Sequence, residues 1–313
     1  MPAAAALGKL ERLLGTWEGA MGVPVLAPLL RRANRVRTVL DTAAIEGNPL
    51  SLEQATAVLQ GKRVVGTPRA ILEIQNANRA YELVDSYQPL HQRSLLAAHR
   101  VLMQGLIADA GRFRVTQVGV LHGQRVAHLA PPPHRVPDLM RSLFQFLRGP
   151  KDVSPIVQAL VFHYELELIH PFTDGNGRIG RLWQHALLLS ASPVFAHVPA
   201  ESLIREHQAD YYAALAASDR SGRSDPFLEY MLQILLLALG RVSKDLRGQP
   251  ETGHSRRAKA RATLGRRWFS RKDYLSLFPR LSTATASRDL ASALSARQLS
   301  SKGVRALTQY RFR

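Results

Sequence analysis

Apolar side chains recur at helical spacing through most of the first 240 residues. Repeats of three and four residues place side chains on one face of a helix. The pattern is clear at Leu72, Ile74, Ala77, Ala80, Tyr81, Val84, and again at Leu139, Leu143, Phe146 and Leu147. Longer apolar segments predict helices at residues 157–169, 178–189 and 227–239. This part of the chain is therefore predicted to be mainly α-helical.

The pattern changes between Thr116 and Pro133. Valine and leucine alternate with polar residues on both sides of the tripeptide His122-Gly123-Gln124, and three prolines follow at 131–133. Alternation with a period of two predicts strands, and proline stops them. We therefore predict a short β-hairpin over about residues 117–130. We place a helical region at residues 1–110 and a core that contains the hairpin at 111–240.

Apolar periodicity fades over residues 241–265 and returns from Trp268 to Phe312. Glycine, proline and basic residues are frequent in the first of these segments, which we interpret as a basic linker with one helix near its end, at 256–264. Residues 266–313 are then a small separate domain.

The C-terminal domain has a recognisable order of elements. A short helix is predicted over 270–278, and Ser282 can cap a second helix that runs to Leu294. Two strands follow, at 299–303 and 307–312. Helix, turn, helix and β-hairpin is the order of a winged helix. The predicted fold class is mainly α, with a helical domain, a short β-hairpin and a winged-helix domain.

Composition narrows the chemistry. The chain of 313 residues has 46% hydrophobic residues and no cysteine. It can bury a large core, and disulfides, thiol catalysis and thiolate zinc sites are excluded. We find no signal peptide and no apolar run near the ~20 residues that a membrane span needs. A cytoplasmic protein without membrane contact is expected, and a homo-oligomer stays open.

The positive charge is concentrated at the C-terminal end. The whole chain has a net charge of +18, and residues 241–313 hold 18 Lys and Arg against 4 Asp and Glu, or +14. Such a concentration favours a polyanionic partner such as nucleic acid, although a solvated basic tail has the same composition.

The strongest candidate site lies at residues 170–181, whose sequence is HPFTDGNGRIGR. Pro171 ends the preceding helix, the glycines can expose backbone N–H groups, and a new helix begins with Arg178 and Arg181 on one face. A helix N-terminus with two guanidinium groups is a polyphosphate site. Asp174 adds a carboxylate for Mg²⁺, and His170 can act as a general base near neutral pH.

These residues resemble the Fic family, whose motif is HPFx(D/E)GN(G/K)RxxR. The resemblance covers about residues 30–240. It implies that His170 takes the proton of a target Ser, Thr or Tyr hydroxyl and that Asp174 holds Mg²⁺ against the phosphates of ATP. The remaining catalytic and nucleotide-binding residues would be Gly175, Asn176, Gly177, Arg178, Ile179, Gly180, Arg181 and Tyr212.

The same resemblance implies the reaction. AMP is transferred to a protein hydroxyl, on a target or on the chain itself, and pyrophosphate leaves. Gly177 favours this outcome, because relatives that phosphorylate tend to have lysine there. The hairpin at about 117–130 resembles the family's flap, which would pair with an extended target segment by strand addition. A plain surface hairpin, and a core role for Tyr211 and Tyr212, stay open.

Residues 42–47, with the sequence TAAIEG, end a predicted helix that spans about 30–47. Thr42 and Glu46 are four residues apart, on the same face. They match the inhibitory motif (S/T)xxxE(G/N) of many Fic proteins. The resemblance implies that Glu46 pairs with Arg181 and keeps it from the γ-phosphate of ATP.

The C-terminal domain resembles bacterial winged helix-turn-helix domains. In such a domain Thr285, Ser287 and Arg288 would reach the DNA groove, while Lys302 and Arg305 would contact phosphates. Arg297-Gln298 departs from the pattern, which usually has a glycine turn there. A protein-docking role for this domain stays open. The leading hypothesis is an autoinhibited protein adenylyltransferase, and the alternative is a DNA-binding regulator whose Fic domain only senses nucleotide.

Overall fold

A computed structural model describes residues 2–20, 27–122, 125–149, 152–248, 253–278, 281–304 and 308–313. The chain divides into two compact units. The first contains the described parts of residues 1–14 and 31–242, and the second those of 15–30 and 243–313. Mainly helical structure, as predicted, forms both units. Within the described residues, no helix has both the length and the apolar character that crossing a bilayer requires.

The first unit is built from helices joined by short loops, with one hairpin between the fifth and sixth. The helices are α1 (Pro2–Ala20), α2 (Ala27–Ile45), α3 (Leu52–Leu59), α4 (Pro68–Glu82), α5 (Gln92–Met103), α6 (Val136–Leu147), α7 (Pro155–Ile169), α8 (Asn176–Ala191), α9 (Ala200–Glu206), α10 (Gln208–Ser221) and α11 (Asp225–Gly248). Both α1 and α2, as well as α11, extend across the boundary between the units.

Several helix starts follow from local sequence. Ser51 and Gln54 form a reciprocal capping box at the start of α3, and Thr67 caps α4 with Pro68 in its first turn. These side chains satisfy backbone N–H groups that a helix start leaves without a helical partner.

Helix α7 is the centre of the first unit. Its buried side chains lie on all sides of the helix, as expected of one that is surrounded by others. They are Ile156, Ala159, Leu160, Phe162, His163, Tyr164, Leu166 and Ile169. Helix α8 packs closely on α7 at Gly180, where an added Cβ would lie 2.9 Å from the ring of His163. Glycine at this position therefore permits the two helices to approach.

The predicted hairpin is present as β1 (Gly119–His122) and β2 (Arg125–Leu129). The strands are antiparallel, with Gly119 opposite Leu129 and His122 opposite Arg125. The register shifts between Val120 and Leu121, which marks a β-bulge. The predicted turn residues Gly123 and Gln124 lie outside the described residues.

The second unit has its own core. It contains α12 (Gly253–Leu264), β3 (Phe269–Ser270), α13 (Arg271–Ser276), α14 (Thr283–Ser295), β4 (Leu299–Lys302) and β5 (Gln309–Phe312). The sheet order is β3-β5-β4, and both pairings are antiparallel. Ser282 caps α14 as the sequence predicts, and Ser270 caps α13. The buried core is Ala260, Leu264, Phe269, Tyr274, Phe278, Ala286, Leu290, Ala293, Leu299 and Phe312.

The predicted linker at 241–265 needs correction. Helix α11 continues to Gly248, and α12 forms part of the second unit through buried Ala260 and Leu264. Arg256, also on α12, makes a buried ion pair with Asp289 at 2.6 Å. Basic composition concealed this short buried face.

Candidate active site

His170 lies where α7 ends. Its backbone is left-handed, with φ of 50°, a conformation that costs a residue other than glycine about 1–2 kcal/mol. Its N–H still donates to the carbonyl of Leu166 at 2.9 Å, and Pro171, which has no N–H, then ends the helix. Backbone strain of this kind persists where surrounding contacts hold it, and it is concentrated at functional sites.

The ring of His170 has a defined tautomer. Nδ1 lies 3.3 Å from the carbonyl oxygen of Glu167. Because a carbonyl oxygen can only accept, Nδ1 carries the proton, and in the neutral ring the lone pair is on Nε2. A nitrogen in this state can take the proton of a hydroxyl group placed against it.

The loop between α7 and α8 is held by the side chain of Asn176. Its Oδ1 accepts from the N–H of Phe172, and its Nδ2 donates to the carbonyl of Phe172, both at 2.9 Å. Asn176 is 2% exposed. Its amide group therefore closes the loop, and the catalytic and nucleotide-binding role of Asn176 stays a prediction.

A buried histidine supports the same loop from α5. The ring of His99 stacks on Phe172, with centroids 3.6 Å apart. The N–H of Gly111 donates to Nδ1 at 2.9 Å, so Nε2 carries the proton and donates to the carbonyl of Asp174 at 3.0 Å. Burial lowers the pKa of His99 to about 4, and the charge of Arg178 acts in the same direction. The ring is therefore neutral near pH 7.

Helix α8 begins beside this loop. Gly175 is left-handed at its N-cap, with φ of 85°, and the bond from Ile179 N–H to Gly175 O, 2.9 Å, begins the helical ladder. The N–H groups of Asn176, Gly177 and Arg178 precede that ladder and have no helical acceptor. Together with the positive end of the helix dipole they form an anion-binding arrangement.

The two motif arginines contribute buried donors to this arrangement. Arg178 and Arg181 are 5% and 1% exposed. Arg178 Nε and Arg181 Nη1 have no hydrogen-bond partner among the described residues. Arg181 Nη1 lies 3.2 Å from the point where a Cβ on Gly177 would stand. Buried donors without partners are rare, and an incoming anion would satisfy them.

Carboxylates balance the first arginine. Arg178 Nη2 donates to Asp174 Oδ1 at 2.9 Å, and its Nη1 lies 3.6 Å from Glu73 Oε1. Arg69 on α4 bridges the same two acids, with Nη2 3.2 Å from Asp174 Oδ2 and Nε 3.2 Å from Glu73 Oε1. Both oxygens of the predicted metal ligand are therefore in contact with guanidinium groups.

The fit to Mg²⁺ is that of a single protein carboxylate. Among the described residues, no group of three or more acidic or histidine side chains converges as a metal cage would. In nucleotide sites Mg²⁺ commonly takes one or two carboxylates and completes its octahedron with phosphate and water oxygens. Asp174, whose side chain is 39% exposed, can serve in this way once Arg69 releases Oδ2.

The second arginine is held by residues at the end of α2. Arg181 Nη2 donates to Glu46 Oε1 at 2.6 Å, and Nε donates to Thr42 Oγ1 at 2.9 Å. A further bond of 3.1 Å joins Nη2 to the carbonyl of Thr42. Burial alone would lower the pKa of Arg181, but the charge and hydrogen bond of Glu46, together with Tyr211 and Glu167, leave that pKa raised. The structure thus brings the predicted inhibitory residue to the predicted phosphate-binding residue.

Helix α2 is itself fixed to the helices that follow the motif. Asp41 accepts from Ser202 Oγ at 2.5 Å and from Arg205 Nη1 at 2.8 Å. The carbonyl of Ile45 accepts from Gln208 Nε2 at 2.9 Å. The Glu46 side chain, by contrast, is 30% exposed. A change in the pairing with Arg181 can therefore occur in the side chain without movement of the helix.

Three predicted nucleotide-binding residues have other surroundings. Ile179 is fully buried, and Gly180 faces the side chains of His163 and Glu167 on α7. Both lie in the interface between α7 and α8, so the predicted nucleotide contacts of these two residues would have to come from their backbone. Tyr212 is half-buried, and its ring lies 5.2 Å from that of Tyr211.

Tyr211 belongs to the core rather than to the cleft. It is 1% exposed, and its hydroxyl lies 3.1 Å from Nε2 of His163. Burial raises the pKa of Tyr211 above its ordinary value. Burial also raises the pKa of Tyr212, and the carboxylate of Glu46 adds to that effect. The charges of Glu46 and Arg181 act on both tyrosines.

Among the predicted DNA-binding residues, some side chains are exposed and others form hydrogen bonds within the protein. On α14, Arg288 is exposed, while Ser287 Oγ donates to the carbonyl of Thr283 and accepts from Arg271 Nη1, both at 3.0 Å. Thr285 Oγ1 is 2.9 Å from the cap residue Ser282.

In the sheet, Lys302 Nζ lies 4.4 Å from the ring centroid of Trp268, and the Arg311 guanidinium lies 4.9 Å from the same centroid. This is cation–π geometry on a half-buried ring. Arg305, the other predicted phosphate contact, lies outside the described residues.

Sequence reasoning missed four residues at the site, namely Arg69, Glu73, His99 and Arg114. None belongs to the motif, and all four precede it in the chain, on α4, on α5 and in the loop before β1. A single arginine or histidine on a helix face has no local mark of its role, because burial by distant elements decides it.

The chain is similar to known proteins in both sequence and fold. The profile of the Fic/DOC family matches residues 89–188, from just before α5 into α8. Protein adenylyltransferase fic-1 of Caenorhabditis elegans is 31% identical over 204 residues, which cover 62% of this chain and 38% of that protein. Protein adenylyltransferase Fic of Nematostella vectensis is 32% identical over 206 residues, covering 62% and 45%. The chain spans less than half the length of either relative.

A solved structure matches at full length. The crystal structure of a Fic family protein from Desulfovibrio desulfuricans G20 is similar with a TM-score of 0.73 and 36% sequence identity. The match covers 100% of this chain and 96% of that one. An identity of this size over nearly two complete chains, with the motif site in place, shows that the chain belongs to the Fic family.

Proposed function

We propose that this protein is an adenylyltransferase that moves AMP from ATP to a Ser, Thr or Tyr hydroxyl of a target protein or of itself. The observation that carries the proposal is the position of His170, a histidine with a defined tautomer beside a helix N-terminus that presents buried arginine donors. Its relatives in animals are adenylyltransferases by name.

In the proposed reaction, Nε2 of His170 takes the hydroxyl proton as the oxygen attacks the α-phosphorus of ATP. A new P–O bond forms to the target, the bond between the α-phosphorus and the bridging oxygen breaks, and pyrophosphate leaves. The N–H groups at the start of α8, with Arg178 and Arg181, stabilise the phosphate charge. Mg²⁺ bound at Asp174 would supply further charge neutralisation.

We further propose that Glu46 inhibits the reaction. Glu46 occupies a guanidinium nitrogen of Arg181 that the γ-phosphate would otherwise use. Bound ATP would then lack one phosphate contact and adopt an unproductive position. Release needs the loss of one ion pair, worth a few kcal/mol when it is partly buried, so a partner protein or a change of oligomeric state could control it.

The test compares ATP labelled at the α- or γ-phosphate in the Glu46→Gly background. Transfer of the α-label alone to protein supports AMP transfer. Transfer of the γ-label would instead show that the protein is a kinase. His170→Ala should abolish labelling while binding of a fluorescent ATP analogue persists. Labelling that survives in His170→Ala would remove His170 as the general base.

A second function is proposed for the second unit, namely DNA binding as a winged helix. It is supported by the 18 basic residues against 4 acidic ones in residues 241–313 and by exposed Arg288 on α14. If four phosphates are contacted, raising salt from 50 to 200 mM should weaken binding by about 100-fold. A filter assay that detects no complex at low salt would exclude this function and favour a protein-docking role.

The alternative, a regulator in which the Fic unit only senses nucleotide, makes a different prediction. DNA affinity should then change on addition of ATP, and no label should be transferred even when Glu46 is replaced. The ordered His170 tautomer favours the enzyme, because nucleotide sensing does not require a general base.

A further inference from the structure

Arg114 is a buried arginine whose side chain bonds to main-chain carbonyls on both sides of it. It is 2% exposed. Its Nε donates to the carbonyl of His170 at 2.7 Å, Nη1 to that of Thr116 at 2.9 Å, and Nη2 to that of Pro131 at 2.6 Å. A longer bond of 3.4 Å joins Nη2 to the carbonyl of Ile169.

These acceptors belong to two separate parts of the site. Thr116 and Pro131 are the residues just outside the two strands of the hairpin, and Ile169 and His170 are the end of α7. The backbone N–H of Arg114 also donates to the carbonyl of Pro171 at 2.9 Å. One residue therefore joins both ends of the hairpin to the strained backbone of the general base.

The chemistry of guanidinium suits this task. It is planar, and its five N–H groups point in fixed directions, so it can bond several carbonyls at once. A buried positive charge normally requires a carboxylate partner or full hydrogen bonding. Among the described residues, the acceptors of this guanidinium are carbonyl oxygens rather than carboxylates. Its charge is thus solvated by the parts of the site that it connects.

We propose that Arg114 is a positioning residue that sets the hairpin and His170 in register with each other. The inference rests on the proposed function, in which a target segment pairs with the hairpin and presents its hydroxyl to His170. Strand addition fixes the target relative to the hairpin alone. The hydroxyl then meets Nε2 only if the hairpin and the end of α7 are held together, and Arg114 provides that connection without touching target or nucleotide.

The test replaces Arg114 by lysine in full-length Glu46→Gly protein, with Arg112→Lys as the matched control. Lysine keeps the charge, but its single nitrogen cannot reach carbonyls on both parts of the site. Arg112 is exposed and two residues away. Hydrogen exchange of the amides at 117–122 and 125–130, affinity for a fluorescent ATP analogue, and kcat with a target are measured for each variant.

For Arg114→Lys we expect exchange in the hairpin to become at least 10-fold faster and ATP affinity to stay within about 2-fold. We expect kcat to fall by about 30- to 100-fold, the size associated with misplacement of reacting groups. The Arg112→Lys protein should match its parent in all three. Unchanged exchange overturns the proposal, and so does faster exchange with an unchanged kcat.

A second variant guards against misfolding. Arg114→Gln keeps a planar donor but removes the buried charge, and it should show the same changes if Arg114→Lys does not fold. The exchange and ATP-binding measurements need no transfer reaction. If no variant transfers AMP, the proposed function fails, while exchange that matches the Arg112→Lys control separately shows that Arg114 does not hold the hairpin.

Discussion

The motif arginines of the first unit and the basic sheet residues of the second have opposite surroundings. In the first, Arg178 is held against Asp174, and Arg181 against Glu46. In the second, where basic residues far outnumber acidic ones, Lys302 and Arg311 lie over the ring of Trp268. A polyphosphate entering the first site must therefore compete with carboxylates of the protein itself. A polyanion approaching the second would meet cations that few acids neutralise.

The largest effect should be on the rate of AMP transfer and should come from removing Glu46, which competes with phosphate for Arg181. Glu46→Gly should raise the initial rate of AMP transfer by about 100-fold, because the freed Arg181 can bind phosphate and a broken buried pair is worth several kcal/mol. Glu46→Gln keeps an acceptor without the charge and should give an intermediate rate. Rates are measured with α-labelled ATP. The control is Glu53→Gln, at an exposed site on α3, which should leave the rate unchanged. A Glu46→Gly rate equal to that of the wild type would show that Glu46 does not compete with phosphate.

The next effect tests whether the site tolerates a further positive charge. The pKa of His99 is about 4 in the folded protein, below the ~6.5 of an unfolded chain. The unfolded state therefore binds more protons between these values, and the stability from neutral His99 is complete above pH 6.5. It should decline by about 3 kcal/mol as pH falls to 4.

The free energy of unfolding against pH, from urea titrations, measures this decline. His99→Gln, whose amide can also donate and accept, should be less stable at pH 7 but should show a flatter curve between pH 6.5 and 4. Equal slopes in the two proteins would mean that other groups cause the acid sensitivity.

A smaller effect is expected at the predicted metal ligand. Arg69→Ala frees Asp174 Oδ2 from a guanidinium contact of 3.2 Å, an exposed pair worth about 1 kcal/mol or less. The Mg²⁺ concentration for half-maximal binding of a fluorescent ATP analogue should fall by about 3- to 5-fold. Arg63→Ala removes the same charge from an exposed loop position and should leave it unchanged. An equal shift in both variants would indicate that the loss of any nearby positive charge, rather than the contact with Asp174, changes Mg²⁺ binding.

The smallest effect concerns backbone strain in the second unit. Arg297, like His170, has a left-handed backbone, with φ of 55°. Two backbone hydrogen bonds hold this turn at the end of α14. The N–H of Arg297 donates to the carbonyl of Leu294 and that of Gln298 to the carbonyl of Ala293, both at 2.9 Å. Arg297→Gly should therefore stabilise this unit by about 0.5–1 kcal/mol. Hydrogen exchange of α14 amides in the full chain measures the gain, and Arg297→Ala, which keeps a Cβ, should show little of it.

Local sequence was sufficient for the parts of the fold that local chemistry determines. Gly175 begins α8 in the conformation that glycine permits, and Ser282 caps α14. At residue 297, where winged helices usually have glycine, this chain has arginine. Its backbone still adopts the left-handed conformation that glycine favours. The two-residue strand β3 was not predicted, because so short a segment is defined by its pairing with β5.

The candidate site was less accessible from sequence. Glu46 and Arg181 are 135 residues apart, and only the resemblance to a family connected them. Arg112 and Arg114 look alike in the sequence, yet one is exposed and the other is buried among carbonyls. Such differences arise when distant elements pack together, which no local pattern records.

The missing side chain at Gly177 has a consequence for how this protein could diverge. A Cβ there would stand in contact with the carboxylate of Glu46 and with Nη1 of Arg181. A larger residue at 177 would therefore require the partly exposed Glu46 side chain to change its position. If Glu46 restrains the reaction as proposed, a substitution at 177 would alter that restraint together with the space for phosphate. We would then expect the two properties to change together as related proteins diverge.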